Sequence, residues 1–288
     1  MPKIVILFFV ALAGGLGACL LVDVSWGVYL YQLNYFLYPR SRWWASYIPD
    51  LRYSYIIGAV LVIAYILQYR KYTNNNIFEA PQSKWLLLDA LNFAFISAWA
   101  VWPEQQFKFL EVHFKLLVFL FIAYKVIDTP EKFERMMWAF LAGCFYTGWF
   151  AHDAGRTPEG RLEGFGPPDC GNDGNLAAIV LVVSIPILIF YLIKGRNWQR
   201  FISLLFLAYI MDAIVLVNSR GAFVGLAASI GYLTFFSVIF SRQPSFMQRF
   251  LLLGGIFTGI CVFLYMADQI FWDRMFSVKD YAEMFMEG

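Results

Sequence analysis

The sequence predicts an all-α protein, a polytopic transmembrane helical bundle of about nine spans. Two observations lead to this prediction. Of the 288 residues, 60% are hydrophobic and only 15% are charged, whereas a soluble domain is about half apolar and about a quarter charged. The apolar residues also fall in repeated runs of about 20, the length that an α-helix needs to cross the hydrocarbon core of a bilayer.

The apolar runs give the predicted spans in order along the chain. The first run follows Lys3 and resembles a signal peptide, but it is long and further runs follow, so we interpret it as a retained first helix. Several runs are separated by only a handful of residues, which predicts tight helical hairpins. The nine spans are predicted at 4–22, 53–69, 85–102, 109–127, 134–151, 175–193, 200–218, 221–240 and 248–267.

The stretch 24–50 differs from these runs. It is aromatic, contains scattered polar residues and is broken by Pro39 and Pro49. Tryptophan and tyrosine concentrate where a protein meets lipid headgroups, so the stretch is predicted to lie at that level. The alternative is a short tenth crossing.

Basic residues predict the orientation, because cytoplasmic loops of membrane proteins carry an excess of Lys and Arg. With the N-terminus inside, every short cytoplasmic loop carries at least two basic residues, whereas the outer loop 152–174 is acidic. The three arginines of loop 23–52 argue the other way. We therefore expect a multi-pass inner-membrane protein with a cytoplasmic N-terminus. The short cytoplasmic loops are 70–84, 125–135, 194–200 and 242–249.

The predicted organisation is a single transmembrane helical domain over 1–267, with outer loops 23–52 and 152–174. The remaining residues, 268–288, are polar, of mixed charge and lack a final apolar run. They are predicted to be the start of a truncated periplasmic segment.

Several classes of function are disfavoured by missing patterns. The four cysteines form no CxxC pair and no Cys/His cluster, so neither a metal site nor a disulfide framework is predicted, and Cys170 is expected to be a free thiol in a loop. No Walker loop or GxGxxG motif is present, which counts against ATP and dinucleotide cofactors. No basic run interleaved with aromatic residues indicates nucleic acid.

The outer loop 152–174 is rich in Gly and Pro, and Asp173 and Asn175 stand where it meets an apolar run. A side-chain oxygen at this place can accept a free N–H of the first helical turn, and such a cap is by itself a sufficient explanation. The alternative is an anion site. A helix N-terminus beside Arg156 and Arg161 attracts negative charge.

A short turn between two long apolar runs contains Ser219 and Arg220. The guanidinium of Arg220 can snorkel to the membrane surface or grip phosphate oxygens with two parallel hydrogen bonds. Its place among packed helices favours phosphate. Asp212 lies inside a predicted span, where a carboxylate is costly and usually faces the protein interior. A structural hydrogen bond and a catalytic role both fit Asp212.

Two further groups of residues are candidates for a role in binding or catalysis. Lys115 and Glu111 are one helical turn apart and can form an ion pair, although Lys115 can also line a polar cavity that opens outward. The two histidines, His113 and His152, have no Ser or Cys partner at a recognisable spacing. No nucleophilic triad is predicted, and the catalytic residue stays unknown.

Three motifs resemble the O-antigen ligase and polymerase superfamily. They are Asp173–Asn175 before a helix that contains Pro186, the run Ser219–Gly221 after a long span, and Trp272–Met275. Together they look most like the branch of O-glycosylation ligases associated with exosortase systems. The similarity extends over most of the chain, which resembles the N-terminal portion of such an enzyme.

The resemblance implies a transferase of the bacterial inner membrane. It would move a glycan from an undecaprenyl diphosphate carrier to a lipid or protein acceptor on the periplasmic face, without nucleotide, metal or other cofactor. Arg220 would match the diphosphate-binding arginine of the family. The family continues into a large periplasmic loop with a further arginine and a catalytic-base histidine, which are expected beyond residue 288.

The leading prediction is therefore an O-antigen ligase-like membrane glycosyltransferase whose partners are the bilayer, the lipid-linked glycan and its acceptor. The alternatives are a small-anion transporter or channel, and a non-catalytic scaffold in a polysaccharide-export or protein-sorting system. Transporters place broken helices at the bilayer midplane, whereas the breaks here gather at the outer ends. The predicted diphosphate-binding residues are Arg220, Arg161 and Arg156, supported by Asp173, Asn175, Ser219, Asp212 and Lys115.

Overall fold

The computed structural model describes residues 2–73, 75–156, 162–171 and 173–235, together with positions 264 and 272. Over these residues the chain forms helices and turns and no strand, which confirms the all-α prediction. The predicted span 248–267 and the segment 268–288 lie, apart from those two positions, outside the described residues. Arg161 lies outside them as well.

The described residues form nine α-helices joined by short turns, some of them 3₁₀ helices such as Pro39–Ser41 and Tyr69–Tyr72. The α-helices are α1 Lys3–Leu21, α2 Ser25–Leu37, α3 Tyr53–Leu67, α4 Gln82–Ser97, α5 Pro103–Val126, α6 Pro130–Ala154, α7 Gly174–Lys194, α8 Asn197–Val217 and α9 Arg220–Phe235.

Three of the described helices, α1, α7 and α8, are long and apolar enough to cross a membrane. A fourth crossing results if α3 and the bent segment Tyr69–Glu79 are counted as one. This identifies a membrane protein, but nine crossings are not confirmed. The described parts of α2, α3, α4 and α9 are shorter than the about 20 residues of a full span, and α5 carries several charged side chains.

The chain divides into two compact units, each with its own packing. The first comprises Met1–Asn34 and Pro39–Ala139, and the second comprises Tyr35–Tyr38 and Phe140–Gly288.

In the first unit, α1 and α3 run parallel. At one end, the ring of Phe8 in α1 lies edge-on to the ring of Tyr53 at the start of α3, with centroids 5.1 Å apart. At the other end, the Gln68 side chain just after α3 donates hydrogen bonds to the carbonyl oxygens of Cys19 and Leu20 at the end of α1. The two helices therefore begin together and end together.

The helix α2 makes this parallel arrangement possible by returning the chain between α1 and α3. Gly27 lies so close to Cys19 that an added Cβ would meet its sulfur at 2.6 Å, and three residues later Leu30 packs against Gly15. As the residue number increases along α2, the number of the residue contacted in α1 decreases, so the two helices are antiparallel. The loop predicted at 23–52 therefore contains a helix, in the stretch for which the alternative was a short tenth crossing.

This order of helices corrects the predicted sidedness of the loops. A loop between α1 and α3 would have made those helices antiparallel and placed Lys3 at the same end as 70–84. The structure places Lys3 and the segment after α3 at opposite ends of the α1–α3 pair, because α2 adds one reversal of the chain.

An ion cluster holds several chain segments together at the end of the first unit where α1 and α3 finish. The Lys132 ammonium lies 3.1 Å from an oxygen of Asp23 and 2.9 Å from an oxygen of Asp128. The other oxygen of Asp23 accepts a hydrogen bond from the backbone N–H of Ser25 at 2.9 Å, which caps α2. Burial by itself raises the pKa of Asp23, but these hydrogen bonds from Ser25 and Lys132 outweigh it and hold the pKa below its usual value.

In the second unit, α7 packs against α8 and α9, and the C-terminal half of α6 packs against α8. The α6–α8 contact is close because of Gly148, where an added Cβ would lie 2.9 Å from the backbone oxygen of Tyr209. One turn away, the rings of Phe145 and Phe206 stack with their centroids 4.3 Å apart. This crossing sets the relative position of the side chains near the end of α6 and the end of α8.

Candidate functional site

The start of α7 confirms one local prediction. The helix begins at Gly174, and a carboxylate oxygen of Asp173 accepts a hydrogen bond from the backbone N–H of Asn175 at 2.8 Å. Asp173 is therefore the N-cap, because it satisfies one of the backbone donors that a helix leaves free in its first turn. The remaining N–H groups of this turn give the helix start a partial positive charge.

The described part of the outer loop, 162–171, packs onto the helices. The backbone N–H of Leu162 donates a hydrogen bond to the carbonyl oxygen of Leu216 near the end of α8, at 3.1 Å. Phe165 is only 1% exposed. Cys170 is a free thiol, as predicted, but it is buried, and burial raises its pKa to about 11. The loop therefore lies against the ends of α7 and α8 and contributes to their packing.

The turn between α8 and α9 has a defined shape. Asn218 has a left-handed backbone, with φ 59° and ψ 42°, and closes the last turn of α8. Ser219 begins the next helix, since its hydroxyl oxygen accepts a hydrogen bond from the backbone N–H of Ala222 at 3.4 Å. Arg220 is thus the first residue of α9. The guanidinium of Arg220 therefore belongs to the first turn of α9, which begins directly after the end of α8.

Asn218 has a second property that bears on ligand binding. Its side chain is 1% exposed, and neither its amide nitrogen nor its amide oxygen has a hydrogen-bond partner among the described residues. A buried polar group without a partner costs about 1–3 kcal/mol, so such a group in a folded protein calls for an explanation.

Arg156 joins the same end of α8. Its terminal nitrogen Nη2 donates a hydrogen bond to the carbonyl oxygen of Val215 at 3.4 Å. Val215 is in the last turn of α8, and Arg220 follows five residues later. Two of the three predicted diphosphate-binding arginines, Arg156 and Arg220, therefore both lie near the end of α8.

One helical turn below, His152 of α6 contacts Asp212 of α8. The imidazole Nδ1 lies 2.7 Å from the carboxylate oxygen Oδ2, and the ring also lies edge-on to Tyr209, with centroids 5.4 Å apart. The side chain of Asp212 is 21% exposed, and that of His152 is 60% exposed. Asp212 therefore faces protein and has a polar partner on another helix, as the sequence predicted.

The sequence did not single out His152, because its partner is 60 residues away along the chain. The spacing rules for catalytic motifs cannot detect such a pair. The sequence contained only a weak indication of this pair, namely an ionisable side chain inside one predicted span and a histidine at the end of another span.

Lys115 does not belong to this group. It lies in α5 of the first unit and pairs with Glu111 one turn earlier, so the predicted ion pair is confirmed. The groove beside Lys115 is lined mainly by apolar side chains of α4 and α5, which is not the polar cavity considered as the alternative. These side chains are Ala90, Ala94, Phe107, Leu110, Phe114 and Leu117.

This end of the second unit can bind an anion and move a proton. Two guanidiniums and the starts of α7 and α9 attract negative charge, and the His152–Asp212 pair can accept and hold a proton. Within the described ranges, no group of three His, Cys, Asp or Glu side chains could hold a metal ion. Comparisons with protein-family models, with curated proteins and with solved structures find no match to this chain.

Proposed function

We propose that the protein is an inner-membrane glycosyltransferase of the O-antigen ligase type. It transfers a glycan from an undecaprenyl diphosphate carrier to a lipid or protein acceptor on the periplasmic face. The observation that carries the proposal is the pair of arginines, Arg156 and Arg220, gathered at the end of α8. The sequence motifs described above supply the class of reaction.

The chemistry of this transfer fits two guanidiniums. When the bond between the sugar and the diphosphate breaks, negative charge develops on the leaving diphosphate, and donors already in place stabilise it. A guanidinium binds two phosphate oxygens at once, in a geometry that an ammonium cannot reproduce. The buried amide of Asn218 supports a ligand here as well, because a polar ligand would give it the partners that the described residues do not.

A membrane topology accompanies the proposal. With α2 as a short additional crossing, the loops 70–84, 125–135 and 194–200 lie on one side of the membrane, and their basic residues make that side cytoplasmic. The loop 152–174 and the N-terminus then both lie on the periplasmic side. This reverses the sequence-based expectation for the N-terminus.

The proposal is tested by replacing Arg220 with lysine. The protein, expressed with any coding sequence that continues after residue 288, is reconstituted in proteoliposomes, and glycan transfer from an undecaprenyl diphosphate donor is measured. We expect Arg220→Lys to insert normally and to lower transfer by about tenfold or more, because lysine keeps the charge but loses the paired hydrogen bonds, worth about 1.5–3 kcal/mol.

The matched control is Arg200→Lys, the same change at the opposite end of α8, where Arg200 donates to the carbonyl of Ile193. It should leave transfer within about twofold of the wild type, since lysine can replace an exposed arginine there. Normal transfer by Arg220→Lys at wild-type abundance would remove Arg220 from the site. If the wild type transfers no glycan but takes up phosphate, the protein is a small-anion transporter instead.

A further inference from the structure

We propose that Asn218 binds the first sugar of the donor glycan, through a hydroxyl or acetamido group next to the diphosphate. The inference rests on the proposed function and deepens it, because it names the part of the donor that distinguishes one glycan from another. Its basis is the side-chain amide of Asn218, whose nitrogen and oxygen have no hydrogen-bond partner among the described residues.

The shape of the turn does not by itself account for this amide. The left-handed backbone of Asn218, with φ 59° and ψ 42°, suits glycine best and asparagine next. Glycine would make the same turn without burying a carboxamide that is 1% exposed and unpaired. Because a buried polar group without a partner destabilises the fold, the side chain of Asn218 calls for a role beyond the turn.

The amide also indicates what kind of group it binds. A carboxamide offers two N–H donors and a carbonyl acceptor, and in Asn218 both ends lack a partner within the described part of the chain. An ionised diphosphate has only acceptor oxygens, so it would pair with the nitrogen and leave the amide oxygen unpaired. A hydroxyl or an acetamido group donates one hydrogen bond and accepts another. One such group of a sugar would therefore satisfy both ends of the amide.

The position of Asn218 fits a sugar that is held by its diphosphate. Arg220 follows shortly after Asn218, at the start of α9. Arg156 reaches the carbonyl oxygen of Val215, shortly before Asn218 in the last turn of α8. Among the sugar substituents, the one on C2 lies nearest to the diphosphate, because C2 is bonded to the anomeric carbon. The C2 hydroxyl or acetamido group is therefore the group that Asn218 would meet.

Binding requires the enclosed amide to change its rotamer, a movement that leaves the backbone in place. The change breaks no hydrogen bond of the amide with the described residues, since it makes none there. Open space is present in the first turn of α9. Gly221 is exposed, and a Cβ added to it would meet no described atom within 4 Å. The amide therefore gains hydrogen bonds on binding a sugar without giving up any.

The experiment measures binding of three carriers to the purified protein in nanodiscs: undecaprenyl diphosphate that bears glucose, N-acetylglucosamine or 2-deoxyglucose. The wild type should bind the glucose or the N-acetylglucosamine carrier about tenfold more tightly than the 2-deoxyglucose carrier, which lacks the C2 group. The tighter of the first two carriers tells a hydroxyl from an acetamido partner. Asn218→Gly keeps the left-handed turn and should bind all three carriers equally. Its melting temperature should equal or exceed that of the wild type, because no unpaired amide stays buried.

Ser203→Ala is the matched control, because the Ser203 hydroxyl is also buried without a partner among the described residues, but near the opposite end of α8. It should keep the wild-type preference among the carriers. Asn218→Asp, which offers only acceptors, should lose the preference and replaces Asn218→Gly if that variant does not fold.

A wild type that binds the 2-deoxyglucose carrier as tightly as the other two would overturn the role of Asn218. So would an Asn218→Gly variant that keeps the wild-type preference. Either result leaves the proposed function intact as long as Arg220→Lys still lowers glycan transfer. A wild type that binds no carrier and transfers no glycan would overturn both proposals.

Discussion

The side-chain amide of Gln68 lies 3.0 Å from the carbonyl oxygen of Leu20 and thereby joins the end of α3 to the end of α1. Two helices joined by a simple hairpin are antiparallel, because the chain reverses once between them. The helix α2 adds a second reversal between α1 and α3, and these two helices are therefore parallel. The contact fixes which ends of the first unit lie together, whatever side of the membrane each end faces.

The first prediction is that residues 3 and 71 are accessible from opposite sides of the membrane. Both lysines are exposed; Lys3 is the first residue of α1 and Lys71 follows the end of α3, so they stand at opposite ends of the pair. Lys3→Cys and Lys71→Cys variants are labelled in whole cells with a membrane-impermeant maleimide. We expect labelling at position 3 and protection at position 71.

Arg40→Cys serves as the internal control for this experiment. Arg40 follows α2 and pairs with Asp50 just before α3, at the end where α3 begins. It should therefore be labelled together with position 3. Equal labelling of positions 3 and 71 in intact cells would contradict the parallel arrangement of α1 and α3.

The second prediction concerns the ion cluster around Lys132. Asp23→Asn should lower the free energy of unfolding by about 1–3 kcal/mol, because it removes one carboxylate from a partly buried ammonium. Asparagine caps a helix about as well as aspartate, so the change isolates the loss of charge. Thermal unfolding in detergent measures it, with Glu111→Gln as the control. The exposed Glu111–Lys115 pair should contribute nothing measurable, because water screens the attraction between its charges.

The same carboxyl gives the cluster a pH dependence. Since the pKa of Asp23 is lower in the folded protein than in the unfolded chain, its contribution is complete above the unfolded value of about 4 and is lost as the pH falls further. The melting temperature of the wild type should therefore fall more than that of Asp23→Asn between pH 6 and pH 3. Parallel decreases in the two proteins would show that Asp23 contributes nothing in this range.

The third prediction tests the close approach of α6 and α8. Gly148→Ala places a methyl group about 2.9 Å from the backbone oxygen of Tyr209, which cannot move without the helix. We expect a loss of about 1–3 kcal/mol in stability, measured by thermal unfolding in detergent, because the two helices cannot separate without disturbing the packing between them. Gly225→Ala is the control. Among the described residues, its added Cβ has only Val182 within 4 Å, at 3.8 Å, so the change should be neutral or slightly stabilising.

Features that depend on residues close in sequence were predicted well. The cap by Asp173 and the pairing of Glu111 with Lys115 follow from spacings of two and four residues, where the geometry of a helix leaves little choice. The position of Arg220 at a helix start follows in the same way from the apolar runs on either side. Asp212 was predicted to face protein because a carboxylate in lipid is costly.

Features that depend on distant residues were missed. The pairs His152–Asp212 and Asp23–Lys132 join residues that are 60 and 109 positions apart, so the packing of helices brings them together and no local pattern reveals them. The helix α2 was predicted only as the alternative, a short tenth crossing. It has only 13 residues, and Gln32 and Asn34 interrupt its apolar character, so it falls below the length and composition on which the identification of a span depends.

The hydrogen bond from Leu162 to Leu216 has a consequence for how the end of α8 opens. The last carbonyls of a helix normally have no backbone partner, and the final turn frays. Here the backbone N–H of Leu162 supplies that partner. Leu162 precedes α7 in the chain, whereas α8 follows α7. Breaking the last turn of α8 therefore requires releasing the loop as well. The loop and the last turn of α8 open as one cooperative unit. Slow exchange of the Leu162 amide proton with solvent would show that the loop is as stable as the helical bundle.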